Sequence, residues 1–213
     1  MEPIKGVHVI DHSEKKDHSL ETWILDCGKD VVLIDGGMQP AAVDNIAAEL
    51  KSMKNGWRDI TLILVTHKHG DHIKNLPKLA ELTGAPIKAQ ELEAPLIEKA
   101  VPVKVGGLRD KEVIPTCGGI EVVWIPGHSE GNASYYLRKQ RAMIAGDTVF
   151  ADDKGNLIAP PEKYCLDVRQ ATDGIARLLE YDFDSLLYTH GPDIYKGAKA
   201  KVRELVDKTK AQN

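Results

Sequence analysis

Residues 60–72 have the sequence ITLILVTHKHGDH and join an apolar stretch to a group of metal-binding side chains. The first six residues form a continuous β-branched and aliphatic run, which is typical of a strand buried on both faces. Because side chains on a strand repeat every two residues, the first two histidines are expected on the same face. Gly70 lacks a Cβ and permits a sharp change of direction, so Asp71 and His72 are expected to reach a neighbouring position. The sequence therefore predicts a loop at a strand end that supplies ligands to two metal ions.

Three further metal-competent side chains follow predicted strands, and they are His128, Asp147 and His190. A single histidine in a globular protein is more often a surface or hydrogen-bonded residue than a ligand. Three histidines and an aspartate within six residues, directly after a buried strand, indicate a metal site instead. Imidazole and carboxylate ligands suit zinc, and they also suit iron, nickel or manganese, so the ligand types alone do not choose the metal.

The order of predicted strands and helices indicates layered α/β or α+β architecture in one domain that covers residues 1–213. Strands are predicted at 7–10, 22–25, 31–34, 60–65, 86–89, 120–125, 134–137, 142–145 and 185–188. Helices are predicted from Pro40, over 76–84, over 91–100, after a cap at Asp173, and over 195–209. Residues 101–112 are predicted to be irregular, and a long loop is expected after Asp147.

Composition limits the classes of partner and location. The chain has 213 residues with 28 basic and 32 acidic side chains, a net charge of −4, which argues against nucleic acid as a partner. The first residues contain no apolar leader, and no apolar run approaches the length of a membrane span. We therefore expect a cytoplasmic protein with a small-molecule substrate and no membrane association. The sequence does not indicate an oligomeric state.

These motifs resemble those of the metallo-β-lactamase-fold superfamily of metal-dependent hydrolases, which includes glyoxalase II. The motif HxHxDH matches His67, His69, Asp71 and His72, and the later motifs match His128 in PGHS, Asp147 in AGDT and His190 in THG. The early aspartate of the family matches Asp35 in IDGG. The matches occur in the order of the family and extend over nearly the whole chain. The resemblance implies an α+β fold, a four-layer αββα sandwich, with the site at one edge between two sheets.

The resemblance also implies a division of the ligands between two divalent ions, with zinc as the first expectation and iron or manganese as alternatives. His67, His69 and His128 would bind the first ion, Asp71, His72 and His190 the second, and Asp147 would bridge them. A hydroxide between two cations is a nucleophile at neutral pH. Asp71 would be the catalytic residue that orients it and passes its proton to the leaving group. Asp35 would hold the ligand loop by hydrogen bonds.

The fold does not determine the reaction, so the choice of reaction depends on where this sequence differs from known groups of the superfamily. Glyoxalase II has a C-terminal helical extension, whereas the residues after His190 suffice for one helix, so glutathione thioesters are expected to be less favoured. Many quorum-quenching lactonases have a tyrosine three residues after the bridging aspartate, where this chain has Phe150. True β-lactamases of this fold generally lack a bridging carboxylate and are exported, and the RNA-processing members are longer and more basic.

The sequence therefore predicts a dinuclear hydrolase that cleaves an ester, thioester or lactone. The alternative within the fold is a mononuclear iron persulfide dioxygenase, and a metal-containing binding protein with a vestigial site is a third class. Three histidines fall outside the ligand set, namely His8, His12 and His18. They are expected to be exposed or loop residues, with the alternative that His12 and His18 lie on a loop that overhangs the site.

Overall fold

A computed structural model describes residues 1–13 and 20–212, and the chain forms two compact units, Met1–Leu108 and Arg109–Asn213. The N-terminal unit contains one six-stranded sheet whose spatial order follows the chain. Its strands are β1 (Val7–Asp11), β2 (Glu21–Asp26), β3 (Val31–Ile34), β4 (Ile60–Val65), β5 (Ile87–Gln90) and β6 (Val105–Leu108). The first three strands pair antiparallel, and β3 to β6 pair parallel.

Helices connect the parallel strands of this unit, because a parallel pair needs a long crossover. They are α1 (Pro40–Ser52), α2 (Gly70–Ile73), α3 (Leu76–Thr83) and α4 (Ala94–Ala100). Five of the six residues of β4 are buried, as expected for a strand covered on both faces. The apolar stripe of α1, which includes Ile46 and Leu50, packs into the same core as Ile63 and Val65 of β4. Packing of the α1 stripe against β4 holds the end of β4, where the ligand loop begins.

The C-terminal unit contains a five-stranded sheet in the order β13-β10-β9-β8-β7 and a separate hairpin of β11 and β12. The strands are β7 (Val113–Ile114), β8 (Ile120–Trp124), β9 (Ala133–Leu137), β10 (Ala142–Ile144), β11 (Phe150–Ala151), β12 (Leu157–Ile158) and β13 (Ser185–Leu187). Only β10 and β13 pair parallel. The helices are α5 (Val168–Gly174) and α6 (Ala198–Gln212). Val202 and Leu205 of α6 pack with Met143 of β10 and Leu186 of β13 in the core of this unit.

The structure differs from the sequence prediction at several elements, and three of these differences lie in or next to the predicted loops and caps. Residues 101–112 include β6, which pairs with β5 at the sheet edge although it contains two consecutive glycines. The predicted loop after Asp147 contains the β11–β12 hairpin. Asp173 lies inside α5 rather than at its start, because the side chain of Asp167 accepts the cap hydrogen bond from the backbone N–H of Gln170 at 2.9 Å.

Among the described residues, every helix is too short or too polar to cross a lipid bilayer. The prediction of one domain over residues 1–213 stays a prediction.

Candidate metal centre

Four candidate ligands of the N-terminal unit lie on the loop that follows β4. We call His67, His69, Asp71 and His72 the N-terminal ligand set. His69 is the last extended residue, with φ −66° and ψ 150°, and the chain enters α2 at Gly70. The predicted change of direction therefore occurs at Gly70, but the start of a helix causes it. The φ of Gly70 is not positive, so the change of direction does not require a residue that lacks a Cβ.

The first two histidines of the set face each other, as the two-residue repeat of a strand predicts. His67 Nε2 lies 2.9 Å from His69 Nδ1, and the two rings meet edge to face. The side chain of His67 is fully buried, whereas that of His69 is partly exposed. Two imidazole nitrogens directed at one point form a suitable pair of donors for a first-row divalent cation.

A buried aspartate sets the orientation of the third histidine. Asp35 Oδ2 accepts a hydrogen bond from His72 Nδ1 at 2.8 Å, and Asp35 Oδ1 accepts one from the backbone N–H of Thr66 at 2.8 Å. Since Nδ1 of His72 carries the proton, its Nε2 is left as the ligand atom, and it lies 3.6 Å from Asp71 Oδ2. Carboxylate–histidine pairs of this kind orient metal ligands and raise their basicity. Asp35 therefore holds the ligand loop, as the sequence predicts.

The hydroxyl group of Thr66 extends this network to a second histidine. Thr66 Oγ1 donates to Asp35 Oδ2 at 2.8 Å and lies 3.1 Å from His67 Nδ1. Because its own proton is directed to the aspartate, the hydroxyl oxygen accepts from His67 Nδ1–H. This assigns the neutral tautomer in which Nε2 of His67, the atom that faces His69, carries no proton.

Three candidate ligands of the C-terminal unit, His128, Asp147 and His190, form the C-terminal ligand set. Asp147 is nearly fully buried and lies in a short 3₁₀ turn after β10, with φ −98° and ψ 19°. Its Oδ2 lies 3.3 Å from His128 Nε2 and 3.3 Å from His190 Nε2. A single carboxylate oxygen is therefore shared by two imidazole nitrogens.

Aromatic packing fixes the ring of His190. Phe150, at the start of β11, stacks on His190 with ring centroids 4.8 Å apart and an interplanar angle of 17°. Tyr164 stacks in turn on Phe150, with ring centroids 6.4 Å apart. Stacked rings at these separations are attractive and restrict rotation of the histidine.

Sequence analysis missed Cys165, which contacts His128. Burial, followed by the negative charges of Asp147 and Asp167, raises the pKa of the Cys165 thiol to about 11. The group therefore remains a thiol near neutral pH, and it donates to the Pro160 carbonyl oxygen at 3.8 Å. Its sulfur lies 3.9 Å from His128 Nδ1, where it accepts a weak hydrogen bond. No local motif marks this cysteine, because 37 residues separate it from its histidine.

The histidines outside the two sets have structural contacts. His12 lies in the loop after β1, which agrees with the expectation of an exposed or loop residue, but its side chain is buried; its Nε2 lies 2.9 Å from Thr22 Oγ1, and Asn45 Nδ2 donates to its Nδ1 at 3.2 Å. His8 lies in β1 and is partly buried, so the expectation that it is an exposed or loop residue is wrong; it pairs through Nδ1 with Glu49 Oε1 at 2.8 Å. His18 lies outside the described residues, and so does the prediction about it.

The donor atoms fit divalent cations within each unit. Ligand atoms lie within 4.8 Å of one another for His67 with His69, for Asp71 with His72, and for Asp147 with each histidine of its set. Nitrogen and carboxylate donors are the ligands preferred by zinc, iron and manganese in proteins. Each unit therefore supplies a preformed group of donors.

A family model described as the metallo-beta-lactamase superfamily matches residues 22–209. The chain belongs to the metallo-beta-lactamase superfamily. The hydroxyacylglutathione hydrolase of Methylobacterium nodulans is 35% identical over 127 residues, which cover 57% of this chain and 48% of that protein. The probable metallo-hydrolase YybB of Bacillus subtilis is 26% identical over 191 residues and 82% of each chain. The chain spans about half the length of the first of these relatives, and both names agree with the prediction of an enzyme.

Solved structures of this superfamily share the fold. A metallo-beta-lactamase family protein from Thermus thermophilus gives a TM-score of 0.78 at 20% identity, over 98% of this chain and 81% of that one. A metallo-beta-lactamase from Pontibacter korlensis gives a TM-score of 0.75 at 20% identity, over 94% of each chain. The prediction of an α+β fold of metallo-β-lactamase type is confirmed.

Proposed function

We propose that this chain is a metal-dependent hydrolase that holds two divalent cations and cleaves an ester, thioester or lactone. The observation that carries the proposal is the position of Asp147 Oδ2, 3.3 Å from the Nε2 atoms of both His128 and His190. A carboxylate shared in this way between two imidazoles is suited to bridge a pair of cations, each with its own histidine. Membership of the metallo-beta-lactamase superfamily supports the same interpretation.

In this proposal, each cation would be held by the residues that the family resemblance assigns to it. The N-terminal set supplies paired imidazoles for one cation and an aspartate with an oriented histidine for the other. The C-terminal set supplies one histidine to each cation and the bridging carboxylate. The proposed ligands are His67, His69 and His128 for the first cation, Asp71, His72 and His190 for the second, and Asp147 for both.

When bound, two cations supply Lewis acidity, which lowers the pKa of water and stabilises negative charge on the substrate oxygen. Asp71 is the proposed catalytic residue of the chain itself, and its side chain is partly exposed. Its carboxylate orients the attacking water and receives a proton from it. As the new C–O bond forms and the acyl C–S or C–O bond breaks, Asp71 returns that proton to the leaving sulfur or oxygen atom.

A thioester or an open-chain ester is the favoured substrate within this class. Relatives named hydroxyacylglutathione hydrolases support the thioester class by that name, but not glutathione itself, because the match covers only 48% and 50% of their length. Phe150 occupies the position where many lactonases have a tyrosine, and its ring stacks on His190 without offering a hydroxyl group. Zinc is the proposed metal, with iron or manganese as alternatives, and the cytoplasmic location stays a prediction from the sequence.

A hydrolysis screen on protein of measured metal content tests this proposal. The panel contains acyl thioesters, open-chain esters, lactones, β-lactams and phosphodiesters, with the Asp71→Asn variant loaded with the same metal as the control. We expect turnover of a thioester or ester that the variant loses. Oxygen uptake with a persulfide by protein that contains one iron, and no hydrolysis of the panel, would favour the dioxygenase and overturn the proposal.

A further inference from the structure

A fully buried carboxylate lies beneath the N-terminal ligand set. Glu93 precedes α4, and its side chain has 0% relative exposure. It is 25 residues away from Lys68 in the sequence, and no ligand motif includes it. Its backbone N–H donates to the Gln90 carbonyl oxygen at 2.9 Å, which anchors the turn between β5 and α4.

The Glu93 side chain contacts the backbone of the ligand loop. Its Oε1 accepts a hydrogen bond from the backbone N–H of Lys68 at 2.7 Å. Lys68 lies between His67 and His69, so this bond holds the peptide group that links His67 to Lys68, one residue before His69. Hydrogen bonds to an ionised carboxylate are shorter and about twice as strong as bonds between neutral groups.

A carboxylate is costly to bury. An ionised group withdrawn from water loses several kcal/mol of hydration unless other contacts compensate. A neutral amide can also accept a backbone hydrogen bond in this part of the fold, as the nearby buried Gln90 does from the N–H of Leu92 at 2.7 Å. A negative charge at this place does favour a cation on the adjacent loop.

We propose that Glu93 is a positioning residue for the candidate metal centre. It holds the Lys68 peptide so that His67 and His69 converge, and its charge raises the affinity of this loop for a divalent cation. Partners of metal ligands commonly change metal affinity by 10–100-fold when they are removed. This inference rests on the proposed function, since it assigns Glu93 a role only if these histidines bind a metal.

The test compares Glu93→Gln and Glu93→Ala with a matched control, Glu98→Gln. Glu98 lies on α4, its side chain is one-third exposed, and it also accepts a backbone hydrogen bond, from Val105 N–H at 3.0 Å. Three measurements are made on the full chain. They are Zn²⁺ affinity by competition with a chromophoric chelator, the visible spectrum of the Co²⁺ form, and the melting temperature of the metal-free protein.

We expect Glu93→Ala to weaken Zn²⁺ binding by about 10–100-fold and to change the Co²⁺ spectrum. Glu93→Gln keeps an acceptor without the charge, so about a tenfold loss is expected, whereas Glu98→Gln binds as wild type. Wild-type affinity and spectrum in Glu93→Gln, with only a lower metal-free melting temperature, would reduce Glu93 to a structural residue. If Glu93→Ala does not fold, the result for Glu93→Gln decides.

The two proposals can fail separately. A structural role for Glu93 would leave metal-dependent hydrolysis by the wild-type chain unaffected, whereas a wild-type chain that binds no metal would overturn both proposals.

Discussion

Asp147 Oδ2 is the atom on which the two histidines of the C-terminal ligand set converge, at 3.3 Å from each. We predict that Asp147→Asn lowers kcat/KM by about 10²–10³-fold, the scale of losing one electrostatic contact of a catalytic site. The neutral amide bridges two cations poorly, so the second metal should be lost first. Metal content by mass spectrometry and steady-state rates check both effects. A variant with two tightly bound metals and near-full turnover would remove Asp147 from the site.

Single histidines of this set provide a second prediction. His128→Ala and His190→Ala should each lower activity by at least about 10²-fold, because each removes a proposed ligand that no neighbour replaces. His8→Ala is the control, since its Nδ1 pairs with Glu49 and it belongs to neither ligand set. Rates measured at saturating metal compare the ligand variants with the His8→Ala control. An equal loss in His8→Ala would show that the histidines are assigned wrongly.

His12 predicts a specific pH dependence of stability. Burial lowers its pKa from 6.5 to about 4, despite the opposing charge of Asp11. Between about pH 4 and pH 6.5, His12 is protonated in the unfolded chain and neutral in the folded chain. The free energy of unfolding is therefore retained above about pH 6.5 and falls by up to about 1.4 kcal/mol per pH unit towards pH 4.

His12→Gln removes that proton and keeps a donor and an acceptor for Thr22 and Asn45. Denaturant unfolding from pH 4 to 7 should show a flatter acid limb in the variant than in the wild type. The ligand histidines titrate in both proteins, so the difference between the two curves isolates His12. Parallel curves would mean that His12 does not remain neutral in the folded chain.

At the scale of residues, the sequence predicted ligand types and spacing but not burial. The two-residue repeat was sufficient to place His67 and His69 together, because both belong to one short extended stretch. The environment of His12 includes Asn45, which is 33 residues away, and Cys165 contacts His128, which is 37 residues away. Contacts between distant segments have no local pattern, so sequence reasoning could not find them.

At the scale of elements, close packing of α5 against the turn before His128 positions that ligand. Gly127 has φ +120°, and a Cβ there would lie 2.2 Å from the backbone nitrogen of Ala171 in α5. Backbone cannot move aside as a flexible side chain does. The helix therefore packs directly against the residue that precedes the ligand.

We predict that Gly127→Ala lowers the free energy of unfolding by about 2–5 kcal/mol, the sum of left-handed strain and overpacking. It should also weaken metal binding, because α5 and His128 must separate. Gly197→Ala is the control, with φ +69° and nothing within 4 Å of the added Cβ, and should cost only about 1–2 kcal/mol. Chemical unfolding and Zn²⁺ competition check the two variants. Equal losses in both would rule out the contact with α5.

The success of element prediction depended on side-chain patterns. The strand at 60–65 was predicted with its observed limits because its buried apolar run is unbroken. Strand β6 was missed because Gly106 and Gly107 have no side chains to create a pattern, and pairing with β5 determines their conformation. The start of α5 was misplaced at Asp173, because the hydrogen bond from Gln170 N–H that identifies Asp167 as the cap is a property of the folded chain.

At the scale of the whole molecule, the family was predictable because its ligand motifs are distributed along most of the chain. Each motif follows a strand, and residues 22–209 match the superfamily. The substrate was not predictable in the same way. Loops and hairpins such as β11–β12 shape the surface around a site, and no residue code connects them to a substrate.

The seven candidate ligands are proposed to hold two divalent cations that the reaction requires. The direct measurement is a calorimetric Zn²⁺ titration of the metal-free chain at about pH 7.5, above the imidazole range, with hydrolysis of the best substrate followed at each addition. We predict saturation at two ions per chain and an activity that rises with occupancy, disappears with a chelator and returns with metal. Lowering the pH through about 6.5 should weaken both Zn²⁺ binding and hydrolysis, because protons compete with the metal for the imidazoles. Full activity in chelated, metal-free protein, or no binding at all, would contradict the account.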